Sequence, residues 1–243
     1  MDKYTQEYSL PYYMIDCKSQ LRPASFLDIA QELAALGAEP LGFADHHLEK
    51  YGIVWVLARM QVKFTGFPKR LENVKLETWH RGIDGLFFVR DYRLLDKDGN
   101  QLIAATTSWI LMDLASRRAL RTDRLGDIIP FEPQCDEKVF DALAPKVAVA
   151  KDAPFKPIGS HKVAYSDLDA NGHTNNVKYT VWAMDALPFD LVRDNDVKEI
   201  AINFNHEARM GDTVDLYLLE EDGACIVEGR AGGQQVFIES FRF

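Results

Sequence analysis

The sequence predicts an α+β fold built twice on one plan, a helix followed by an antiparallel meander of strands. Three observations carry this. An apolar stripe of helical period at residues 26–36 gives way to alternating strand patterns from residue 54 onward. The same order of elements returns in the second half. Sliding the chain by 140 positions sets Val62 over Ile202, Phe64 over Phe204 and Val74-Lys-Leu76 over Val214-Asp-Leu216.

In chain order, a short tyrosine-rich lead (Tyr8, Tyr12, Tyr13) precedes Pro23-Ala-Ser25, which opens a helix. Phe26, Ile29, Ala30, Leu33 and Leu36 form its stripe and Gly37 a plausible end, with the pattern trailing to Leu41. Val54, Val56, Ala58, Met60, Val62 and Phe64 alternate with Trp55, Leu57, Arg59, Gln61 and Lys63, the period of one long strand. Val74–Thr78 reads as a second strand, Gly82–Gly85 as a turn and Leu86–Leu95 as a third strand. Asp96-Lys-Asp-Gly-Asn100 is a hairpin signal leading to a fourth, Gln101–Met112. A sheet curled around the helix is the economical packing.

Asp113–Leu125 carries Arg117, Arg118, Arg121 and Arg124. It is either a solvated turn or helix-like segment, or a local anion-binding patch. Ile128–Pro157, with five prolines and no sustained period, reads as a linker. Domains are therefore expected at 1–125 and 158–243, joined by residues 126–157. The second half begins with a strand near His161–Tyr165. A helix from about Asn176 to Leu187 and a long strand, Val197–Ala208, follow. Strands at Val214–Leu219, Ala224–Glu228 and Val236–Phe243 complete it.

Composition excludes several classes. The 243 residues suffice for one large domain or two small ones with a substantial core. A formal charge of −9 argues against non-specific nucleic-acid binding. Cys17, Cys135 and Cys225 are odd in number, far apart and outside any metal-ligand spacing, which fits a reducing compartment. The N-terminus lacks a basic stretch followed by an apolar one, and no run approaches a membrane span. A cytoplasmic chain is expected.

The chemistry concentrates in Tyr165-Ser-Asp-Leu-Asp-Ala-Asn-Gly-His-Thr-Asn-Asn-Val-Lys-Tyr179. Asp169, Asn171 and His173 alternate with Leu168, Ala170 and Gly172. An extended loop would set the three polar side chains on one side, just before a helix capped by Asn175 or Asn176. An acid, an amide and a base so placed can bind a carbonyl, orient a water and move a proton. The plainer alternative is a polar turn that caps a helix. The first half offers no comparable polar cluster.

Trp55-Val-Leu-Ala-Arg59-Met-Gln-Val62, Val89-Arg-Asp-Tyr92, Thr107-Ser-Trp109 and above all Ser166–Tyr179 resemble the acyl-acyl-carrier-protein thioesterases, plastid enzymes of plants with shorter bacterial relatives. The resemblance runs from about Tyr12 to Phe243. It implies a tandem hotdog fold that hydrolyses the thioester of a fatty acyl chain on acyl carrier protein, without metal or organic cofactor. The family's Asp-x-Asn-x-His pattern lands on Asp169, Asn171 and His173, and its later glutamate on Glu207. Where plant members commonly carry a cysteine, this chain has Ala208, so a Cys-His mechanism is poorly supported.

On this reading, helix N–H groups near Asn175, Asn176 and Val177 face the developing oxyanion. Asn171 and His173 hold the carbonyl or the water, and Asp169 or Glu207 is the base. Water attack and carboxylate attack through an anhydride both fit. Asp167 is given a capping or supporting part. Glu207 has the opposite strand parity to Ile200, Ile202 and Phe204. Either the cleft lies on that other face or a bulge shifts the phase. The first half's helix and long strand are expected to line the acyl-chain tunnel, with core packing as the competing account. Arg117, Arg118 and Arg121 are expected to receive acidic carrier protein or its phosphate. Rival readings are a hotdog acyl-CoA thioesterase or hydratase, and a non-catalytic acyl-carrier or lipid-binding module. Hotdog sheets often pair edge to edge; a homodimer or the tandem copy would meet that need.

Overall fold

The computed structural model describes residues 3–122, 125 and 133–243. They divide into two compact units, Met1–Ala144 and Pro145–Phe243. In the first, β1 (Tyr4–Ser9) precedes α1 (Pro23–Ala38), the short α2 (Asp45–Leu48), β2 (Ile53–Phe64), β3 (Asn73–Asp84), β4 (Phe87–Leu95), β5 (Gln101–Asp113) and β6 (Arg118–Ala119). The second holds β7 (Lys156–Lys162), α3 (Asn176–Ala186), α4 (Phe189–Asp194), β8 (Glu199–Phe204), β9 (Thr213–Glu221), β10 (Ala224–Ala231) and β11 (Gln234–Arg242). Within the first unit the strand order is β1-β3-β4-β5-β2, with β6 on β5. Within the second it is β7-β9-β10-β11-β8, the same plan repeated. The 140-residue offset holds to the residue at two boundaries: Phe64 and Phe204 end β2 and β8, and Asn73 and Thr213 open β3 and β9.

Helix α1 starts at Pro23, whose fixed φ and missing N–H suit a first helical position. It buries Phe26, Ile29, Ala30, Leu33 and Gly37, packing against β1 and β3. Gly37 permits that approach. A Cβ there would sit 3.1–3.2 Å from Arg90, Thr78 and Tyr4.

Several sequence expectations are corrected. The β2 alternation is not continuous: Ile53 and Leu57 are buried, then Met60, Val62 and Phe64. Ala58 is the extra residue of a bulge between Leu57 and Arg59, and it flips the phase. Gly82 lies inside β3 at a second bulge with φ 108°, and the turn sits at Gly85-Leu86. The tyrosine-rich lead contains an unforeseen edge strand, β1. The strand expected at His161–Tyr165 lies earlier, at β7, and Tyr165–Asp167 is a 3-10 turn. The long strand ends at Phe204 rather than Ala208. In the Asp113–Leu125 segment, residues 114–117 are a turn leading into β6, where a helix-like segment was one expectation. Arg124 and part of the expected linker, residues 126–132, lie outside the described residues.

The described part of that linker belongs to both units in turn. Trp79 and Arg81 donate to the carbonyls of Glu137 and Phe140, and Val139 N–H donates to Asp91. Further on, Asn203 exchanges two hydrogen bonds with Val147, while Val149 and Phe155 cover Leu219, Ile226 and Ile238.

Candidate active site

The Asp169–His173 loop is a tight hairpin closed by its own acid. Asp169 N–H donates to the His173 carbonyl at 2.8 Å, and Asp169 Oδ1 accepts from the N–H groups of Asn171 (2.9 Å) and His173 (3.0 Å). Gly172 takes φ 75°, a conformation that favours glycine. Leu168 and Thr174 bridge the base of the loop. Asn171 and His173 are exposed and Asp169 is half-buried.

The loop is anchored from below by Asp167, which is 5 % exposed. Its carboxylate accepts from Ala164 N–H and contacts His161 Nε2, both at 2.8 Å, and its carbonyl accepts from Asn175 N–H. His161 stacks on Trp182 of α3. Burial works to raise the Asp167 pKa, but the His161 and Ala164 hydrogen bonds outweigh it and hold the group below the usual carboxylate range. Asp167 therefore holds the base of the loop in place. Asn175 is the cap of α3: its side-chain oxygen accepts from Val177 N–H at 2.9 Å. That engages the Val177 donor expected to face an oxyanion. It leaves Asn176 N–H as the first-turn donor for that role.

Glu207 reaches the loop because β8 stops early. The N–H groups of Asn205 and His206 both donate to the Val236 carbonyl, at 2.8 and 3.0 Å. This doubling ends the ladder and frees Glu207 from strand parity. The next residue is clamped on both sides: Thr174 Oγ1 donates to the Ala208 carbonyl at 2.7 Å, and Ala208 N–H donates to Tyr179 Oη at 3.1 Å. Held so, Glu207 Oε1 lies 3.1 Å from His173 Nδ1, and Arg209 contacts Oε2 at 3.2 Å. Glu207 also lines an open pocket of about 210 Å³ with His206, Asp212, Thr213 and Val236. His206 instead turns its Nδ1 to the Gln235 carbonyl.

This geometry brings His173 and Glu207 into contact and ties Asp169 to His173 through the backbone. Asn171 contributes its N–H to the loop. Arg117, Arg118 and Arg121 are exposed on the first unit, and Arg121 lines a shallow depression with Gly85, Leu86 and Thr122.

The first unit also buries polar side chains within its sheet. His80, Arg90, Asp91, Thr106, Thr107 and Ser108 are all buried. Register sets His80, Arg90 and Thr107 side by side on one face of the sheet, and Asp91 and Thr106 on the other. Burial pushes His80 down to about 4, lowers Arg90 and raises Asp91.

A helix laid on an antiparallel sheet, repeated in tandem with a polar loop before the second helix, defines a hotdog-class protein. A model of the acyl-ACP thioesterase N-terminal domain matches residues 1–125, and one of the C-terminal domain matches residues 154–232. The chain belongs to the acyl-ACP thioesterase family. It is 26 % identical over 94 % of its length to oleoyl-acyl carrier protein thioesterase 2 of Arabidopsis thaliana, and 25 % over 93 % to the palmitoyl-acyl carrier protein thioesterase of that plant. The matches span 66 % and 63 % of those relatives' lengths, under two thirds in each case. Its fold is similar to an acyl-ACP thioesterase from Bacteroides thetaiotaomicron (TM-score 0.87, 23 % identity, 98 % of this chain and 96 % of that one). It is also similar to the 12:0-ACP thioesterase of Umbellularia californica (TM-score 0.83, 18 % identity, 99 % and 96 %).

Proposed function

We propose that this chain hydrolyses fatty acyl-carrier-protein thioesters, releasing free fatty acid. The observation that carries the proposal is the 3.1 Å contact between His173 Nδ1 and Glu207, in a member of this family. A carboxylate accepting Nδ1–H leaves Nε2 with its lone pair, the arrangement of a general base. His173 takes a proton from water, the water attacks the thioester carbonyl, and the imidazolium returns the proton to the departing thiolate as the C–S bond breaks. Asn171 and the N–H of Asn176 donate to the developing oxyanion, and Asn175 fixes the helix end that presents that donor. Asp169 shapes the loop through Oδ1, and its other oxygen is available to the water.

The first unit holds the acyl chain on this reading, and Arg117, Arg118 and Arg121 receive the acidic carrier protein. Three free cysteines fit a cytoplasmic setting. No helix among the described residues is long and apolar enough to cross a membrane.

A panel of acyl-carrier proteins and acyl-CoAs of graded chain length tests the proposal. Free fatty acid should appear faster from the carrier-protein series. Reversing the charges at Arg117, Arg118 and Arg121 should slow that series selectively. Faster release from acyl-CoA would reassign the substrate; tight binding without release would mark a binding module.

A further inference from the structure

Between α1 and β2, within the first unit, three metal-ligating side chains converge. Glu39 opens the 3-10 turn after α1, and His46 and His47 lie on α2. One donor atom of each lies within 4.8 Å of the other two. His46 Nδ1 stands 3.7 Å from Glu39 Oε1, too far for a hydrogen bond. His47 Nδ1 is buried, with no hydrogen-bond partner among the described residues. The two imidazole centroids are 4.0 Å apart. Buried polar atoms are nearly always paired, so an unpaired imidazole nitrogen beside a second imidazole and a carboxylate points to a missing partner.

We propose that Glu39, His46 and His47 form a binding site for a borderline divalent cation of the zinc class. Two imidazoles and one carboxylate suit such an ion and leave a fourth position for water. Tetrahedral ligation at about 2.0–2.2 Å sets donors about 3.3 Å apart, so the three groups must draw together slightly. Glu39 and His46 are both more than half exposed and free to turn. The ion would staple the turn after α1 to α2 across Phe43. Phe43 is 3 % exposed, packs with Leu41, Leu48 and Ile53, and meets the rings of Trp55 and His80. The site therefore braces the covering of an apolar cluster and stands independently of the thioesterase reading.

Titration of the tag-free full chain with zinc chloride, by calorimetry and thermal melting, tests this. One ion per chain should bind, and Tm should rise with zinc. His46→Ala and His47→Ala should each weaken binding by at least the roughly 10- to 100-fold that even a supporting partner of a ligand commands. His173→Ala should bind as the wild type does. His46 is exposed, so its variant should keep the wild-type metal-free Tm even if the His47 variant does not fold. Absence of saturable binding, binding that survives His46→Ala, or binding lost with His173→Ala would overturn the site.

Discussion

His173 Nδ1 and Glu207 Oε1 meet at 3.1 Å although one sits in a loop ahead of α3 and the other beyond the end of β8. The contact fixes which imidazole nitrogen faces outward. Glu207→Gln keeps the size and removes the acceptor charge, so kcat should fall by about 10²- to 10⁴-fold, the usual range for general-base catalysis. Groups that act as a unit are not additive. His173→Ala with Glu207→Gln should therefore be no slower than His173→Ala alone. Full additivity in steady-state kinetics would show that the two act separately.

The clamp on Ala208 makes a second expectation. Thr174→Val strands the buried Ala208 carbonyl and should cost about 1–3 kcal/mol of stability. A misplacement of about 1 Å at a reacting group can cost about 10²-fold in rate. Thr174→Val and Tyr179→Phe should thus lower kcat at temperatures where both remain folded, with KM little changed. Loss of stability alone, at wild-type kcat, would make the clamp purely structural.

Glu239 gives the second unit a pH-dependent contribution to stability. Its side chain is fully buried, accepts a hydrogen bond from Thr180 at 2.7 Å, and is pushed up to about 8, chiefly by burial. A carboxyl whose folded pKa is raised is held proton-bound by the fold, so its contribution is complete below the unfolded value near 4.5 and is lost as pH rises toward 8. The loss is on the order of 1 kcal/mol per pH unit across that window. Tm should decline between pH 5 and 8 in the wild type and more shallowly in Glu239→Gln. Parallel curves would contradict this.

Gly229 of β10 tests the packing of the same unit. A Cβ there would fall 2.2 Å from Phe237 and 2.9 Å from Val214, both buried. Gly229→Ala should cost about 1–3 kcal/mol, as overpacked cores do, and lower the denaturation midpoint. An unchanged midpoint would mean that Phe237 has room to move.

The parts legible in the sequence were those encoded locally. The helical stripe on Phe26–Leu33, the Asp96–Asn100 turn and the Asp169–His173 loop each announce themselves within a dozen residues. The tandem plan was legible because the order of elements repeats and the β2/β8 and β3/β9 boundaries keep the 140-residue offset. What stayed hidden depends on contacts distant in sequence. Thr174 and Tyr179 look like ordinary helix-end residues until Ala208 is set beside them. Glu239 reads as a strand's solvent-facing acid until α3 covers it. The bulges at Ala58 and Gly82 leave no mark in the apolar pattern beyond the glycine itself. The doubled hydrogen bond at Val236 that frees Glu207 leaves none.

The most direct test is single-turnover release of free fatty acid from acyl-[acyl carrier protein], by wild type and by folded His173→Ala. The account requires rapid release by the wild type and a loss of about 10²-fold or more in the variant. Equal rates, or no release by the wild type on any chain length, would contradict it.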